Sequence, residues 1–190
     1  MNPTSYRGIV IILLFGFLFM GILLAGCVRN IGREEEFDRF YKGLKGESSA
    51  YSQAGFLKYG AAGGDYLIKR LKTENHPALR AEAVGIIGFT GCSDCANELT
   101  FNLNDPNWRV RYFTLDTLDK LNYGKIRESL REAIEKDSHE SVRMGALLLL
   151  VKKKNADDAP FLQALKEKNL NNEKVLNVID TALENLSNPK

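Results

Sequence analysis

Leu79-Arg80-Ala81-Glu82-Ala83-Val84 is matched by Val110-Arg111-Tyr112-Phe113-Thr114-Leu115 and again by Val142-Arg143-Met144-Gly145-Ala146-Leu147. Each copy runs on to an aliphatic residue three positions further, at Ile87, Leu118 and Leu150. Positions i, i+5 and i+8 lie on one face of a helix. The anchors Leu79, Val110 and Val142 stand 31 and 32 residues apart, and a degenerate fourth copy begins at Val175, 33 residues on, with Ile179 and Leu183 in the matching places. A fixed period of this length marks stacked supersecondary units, none of which can bury its apolar face alone. A partial leading copy is read around Ala54 and Leu57, running into Gly60-Ala61-Ala62-Gly63-Gly64, taken as a loop between helices.

The turns agree with this division. Asp105-Pro106 puts a capping acid before a proline at the first helical position, Asn75-His76-Pro77 and Asp137-Ser138 do nearly the same, and Asn172 caps the last copy. Shorter amphipathic stretches between the copies, Tyr66 to Leu71, Cys95 to Leu103, Lys125 to Ile134 and Pro160 to Leu165, are expected to form the second helix of each pair. In the third of them Ile126, Leu130 and Ile134 recur every four residues. No run alternates with period two, so the fold expected is all-α.

The acid and proline, the valine-arginine and the following aliphatic residues resemble the short HEAT-like repeat, the kind also found in phycobilin lyase subunits. Asp105, Pro106, Val110, Arg111 and Leu115 carry the resemblance, as do Pro77, Leu79, Arg80, Ala83, Val84, Ile87 and Gly88; it covers residues 50 to 186. It implies a short α-solenoid of about four helix pairs. It also implies a ladder of ion pairs between neighbouring repeats, with Arg80, Arg111 and Arg143 as its arginines and Asp105 and Asp137 as candidate acids, a structural role that suits a planar five-donor group. Thr114 stands where the family has a small alanine, and Leu176 stands where it has the arginine, so the last copy is expected to act as a cap.

Ahead of the repeats, Gly8 to Val28 holds no charged residue, and Arg7 precedes it, the order of a secretory signal peptide. The run closes on Leu24-Ala25-Gly26-Cys27, which resembles the lipobox of bacterial lipoproteins. That resemblance implies that Cys27 is acylated and becomes the first residue of the mature chain, tied to a membrane by several acyl chains. The competing reading is an uncleaved helix, since about 20 uncharged residues span a bilayer. Val28 stands where an aspartate would resemble an inner-membrane retention signal, so the outer membrane is expected if the source has two. The division expected is residues 1–26 as signal peptide, 27–48 as lipidated tether and amphipathic helix, and 49–190 as the repeat domain. The helix in the middle segment has Phe37, Phe40, Tyr41 and Leu44 at i, i+3, i+4 and i+7; it either caps the first repeat or docks a partner.

With 26 basic against 24 acidic residues the net charge is +2, so nucleic acid is not an expected partner. Chemistry is scarce. His76 and His139 are read as surface turn residues, Asp157 and Asp158 as solvated or capping acids, and no glycine-rich phosphate loop, metal-ligand spacing or cofactor is expected. Cys92-Ser93-Asp94-Cys95 is a possible local disulfide; idle thiols, a redox pair and half a metal site stay open beside it.

The function expected is that of a lipid-anchored protein-binding scaffold in the bacterial envelope. An accessory subunit of an envelope complex, or a lyase-type or CxxC redox enzyme, are the alternatives. The second helices are expected to line the concave side, where Tyr66, Lys69, Arg70, Asn97, Phe101, Arg127, Arg131, Gln163 and Lys166 lean basic and suit an acidic protein segment.

Overall fold

The computed structural model describes residues 32–46 and 49–187, and among them there is helix and no strand. Cys27, the residues before it and the apolar run lie outside the described residues. The chain divides into two compact units that part between Gly55 and Phe56. The break therefore falls inside a helix, beyond the division at residue 48 expected from the sequence.

The first unit contains a helix over 32–43 (α1) and the start of Ser49–Lys58 (α2). Phe37, Phe40, Tyr41 and Leu44 are buried. The Phe40 ring meets the Tyr51 ring edge-on at 5.9 Å and lies over Gly55, which has no side chain to obstruct it. That aromatic contact draws the first part of α2 to α1 and explains where the unit ends.

The second unit is a short helical solenoid. Its elements are Ala61–Leu71 (α3), Pro77–Ile87 (α4), Cys95–Leu99 (α5) continued by a 3-10 turn over Thr100–Asn104, Trp108–Lys120 (α6), Ile126–Lys136 (α7), Glu140–Lys152 (α8), Ala159–Lys168 (α9) and Glu173–Ser187 (α10). α4, α6, α8 and α10 pack each on the next as one layer, while α3 pairs with α4, α7 with α8 and α9 with α10 across the second layer. The apolar stripe read from the sequence forms the interior: Val84, Ile87, Val110, Leu115, Leu118, Val142, Leu147 and Leu150 are buried. Each such leucine or valine contributes roughly 1.5–3 kcal/mol by leaving water. In α10 the burial thins to Ile179 and Ala182.

Thr114, the departure from alanine, turns its hydroxyl onto the Val110 carbonyl at 2.7 Å, which satisfies it inside the core. Thr117 goes further, donating across the layer to the Val84 carbonyl of α4 at 2.9 Å.

Gly60 to Gly64 is not a loop. α3 begins at Ala61, and a Cβ on Gly64 would stand 2.6 Å from Cys92 Cβ, so the glycine lets the cysteine turn close on the helix. Helix starts also differ from expectation. Pro77 is a first-turn proline, but α6 starts at Trp108 and α8 at Glu140, capped by Asn107 and His139. Asp105 and Asp137 sit two residues before those caps and accept the Asn107 and His139 backbone N–H groups at 2.8 Å each.

Candidate functional site

Turn acids held by such backbone bonds point their carboxylates at the neighbouring repeat. Arg80 donates to Asp105 from Nε at 2.7 Å and Nη2 at 3.0 Å. Arg111 does the same to Asp137, at 2.8 and 2.7 Å. These are fork-to-carboxylate pairs with planar geometry. Burial works against the charged form of Asp137, but the Arg111 hydrogen bonds, the His139 N–H and the nearby positive charge outweigh it, holding the carboxyl below its ordinary range. The same hydrogen bond raises the Arg111 guanidinium above its usual value. Arg143 takes the matching position in the next repeat, with Nη1 on the carbonyls of Asp137 and Ser138, yet no acid among the described residues accepts from its other two nitrogens.

The second helices do not offer the free basic face expected of them. Arg127 and Arg131 both converge on Asp158, from the 3-10 turn Ala156–Asp158; Arg127 Nη2 lies at 3.0 Å and Arg131 Nε at 3.0 Å from the same Oδ1. Asp158, read from sequence as a solvated or capping acid, is 2% exposed. The bond to Asp158 raises the Arg127 pKa. Asp158 Oδ2 and Arg127 Nε are left buried without partners, so the cluster is a charge triad built on one buried carboxylate, with both arginine side chains about a third exposed. Arg131 also lies over the Phe161 ring at 5.2 Å, Arg70 over Tyr66 at 5.9 Å, and Lys166 pairs with Asp180. Lys69, Asn97, Phe101 and Gln163 are the exposed members of the expected set. The physical cause is that α7 and the turn before α9 are adjacent across one repeat, so cations on α7 meet the acids that open α9.

Exposed apolar side chains also lie along the layer of first helices, in α6, in α8 and in the turn that follows α4. Phe89 is 65% exposed and Leu148 50%, with Phe113 between them in sequence. Lys120 stands over the Phe89 ring at 4.0 Å. A groove of about 510 Å³ opens between α8 and α10, lined by Leu148, Val151, Val178, Ala182 and Leu186. The signal for it was present in the sequence as aliphatic residues on the face of the repeat helices away from the core stripe.

Cys92 and Cys95 are joined as a disulfide. Asp65 Oδ1 approaches Cys92 Sγ at 3.3 Å and Cys95 Sγ at 3.7 Å; these three residues form the one candidate metal cluster among those described. While the sulfurs are bonded to each other they present no thiolate to a metal. His139, expected to be an idle surface residue, stacks flat on Trp108 at 4.2 Å, and its Nδ1 accepts the Ser141 N–H. His76 caps α4 by its backbone alone.

Residues 96–186 match the HEAT repeat family. HEAT repeats are commonly protein–protein interaction scaffolds and are typically non-catalytic. The matched stretch holds α6 to α9 whole, and with them the Asp158 cluster and the whole lining of the apolar groove. Among curated proteins none matches the chain. No helix among the described residues is long and apolar enough to cross a membrane.

Proposed function

We propose that the chain is a membrane-tethered scaffold that binds protein through the outer face of its first helices, with the groove between α8 and α10 as the contact centre. The observation that carries this is the exposure of Phe113 on α6 and of Leu148 on α8, which itself lines the groove, with Phe89 in the turn after α4, while Arg127 and Arg131 of α7 are taken up by Asp158. Apolar side chains rimmed by Lys152 and Lys154 have the composition of an interface core with a polar rim. The tether is Cys27: the uncharged run and Leu24-Ala25-Gly26-Cys27 support lipidation there, and an envelope location follows from it.

Photo-crosslinking in intact cells tests the reading. A reactive residue placed at Leu148 or Val178 is expected to give a discrete protein adduct, and one at Gln163 on α9 none. Adducts confined to Gln163 would return the interface to the second helices.

A further inference from the structure

Three guanidinium groups are held alike by their own turns. Nη1 of Arg80 rests on the carbonyls of Glu74 and Asn75, that of Arg111 on Asp105 and Pro106, and that of Arg143 on Asp137 and Ser138 at 2.8 and 3.1 Å. This clamp aims Nε and Nη2 at the following repeat, where Asp105 and Asp137 supply carboxylates to the first two. Each of those acids stands two residues before a helix cap. Before Asn172, which caps α10 by accepting the Val175 N–H, the residue in that place is Leu170. Leu170 is 68% exposed and offers no acceptor. What faces Arg143 instead is a cavity of about 290 Å³, walled by Met144, Leu147, Leu165 and Val175 and edged by Lys168 and Asn169.

We propose that Arg143 is an open rung that binds the carboxylate of an aspartate or glutamate side chain on a partner protein. This rests on the scaffold reading and adds a second, polar contact to it. A single carboxylate is the group that fits. The fork geometry selects a planar two-oxygen acceptor, and the two filled rungs display that acceptor in place. Glu135, 3.5 Å from Lys168, and Glu140 also border the cavity, so its lining is balanced in charge and offers no surplus of cations for a doubly charged phosphate. The volume lies at the lower end for pockets that enclose small molecules and accommodates a side chain arriving on a turn, as Asp105 and Asp137 do.

The test is a titration of the 15N-labelled full chain in neutral detergent, following the Arg143 Nε–H resonance, assigned by its loss in Arg143→Lys. Acetyl-Gly-Asp-Gly-amide is expected to shift it saturably. The asparagine counterpart should act about tenfold more weakly or not at all, and sodium acetate at equal ionic strength more weakly than the aspartate peptide. Leu170→Asp, at an exposed position, should move the resonance toward those of Arg80 and Arg111 without any probe and abolish the response. A resonance unmoved by the aspartate peptide overturns the site. A response unchanged in Leu170→Asp overturns its place at the rung, and acetate binding as tightly as the peptide overturns the protein source. Crosslinking from Leu148 is independent of Arg143, so failure of the titration and failure of the scaffold reading are told apart.

Discussion

Asp137 joins two repeats by three acceptor bonds, two from Arg111 and one from the His139 backbone; an asparagine there keeps one acceptor oxygen but loses the charge and sets an NH2 group against an Arg111 donor. Asp137→Asn is expected to cost about 3 kcal/mol, the scale for breaking a largely buried pair. Its folded pKa is depressed, so this stabilisation is complete above the unfolded value of about 3.9 and is lost as pH falls through the folded value. Denaturant unfolding of native chain and variant should therefore converge as pH drops below about 4; a gap that stays constant would sink the linkage. His139→Ala should cost roughly 1–2 kcal/mol, because it removes both a cap and the stack on Trp108, whereas His76→Ala should be near neutral. Pairing of Arg111 with Asp137 was legible because the family resemblance supplied a role for both. The burial of Asp158 was not legible: it sits in an Asp-Asp pair at a helix start, where no periodicity says which carboxylate turns inward.

α7 shows how a helix legible in outline can present an unforeseen surface. Ile126, Leu130 and Ile134 form its buried stripe as their spacing requires, yet the arginines beside them are taken up by the turn before α9. Reversing both, Arg127→Glu with Arg131→Glu, places two acids against a buried carboxylate, and thermal unfolding should register a loss above about 3 kcal/mol. Gln163→Glu on exposed α9 surface should change stability by no more than about 0.5 kcal/mol. If the double reversal leaves the melting temperature unchanged, the Asp158 cluster does not form in solution. In α8, Leu147→Ala should cost roughly 2–5 kcal/mol, as buried leucine truncations do. The helices themselves were readable because every repeat restates the same apolar spacing; Leu170 escaped notice because an absent acid leaves no mark until its partner's geometry is seen.

A solenoid shares stability only between neighbouring repeats, so damage should spread by proximity and not uniformly. Hydrogen exchange should show Leu162→Ala, in α9, loosening α9 and α10 while α4 keeps its protection; protection lost evenly would mean that the unit folds as one cooperative block. Anchorage is tested separately: Cys27→Ser should leave a precursor that lacks lipid by mass and washes off membranes in salt, and unchanged mass and retention would end the lipoprotein reading. The chain has a single tryptophan, and it is the one lying flat on His139 between the starts of α6 and α8. Indole emission is therefore an optical gauge of one seam. Unfolding followed by fluorescence will report when those two turns part, and its curve need coincide with that of helix content only if every other seam opens at the same moment.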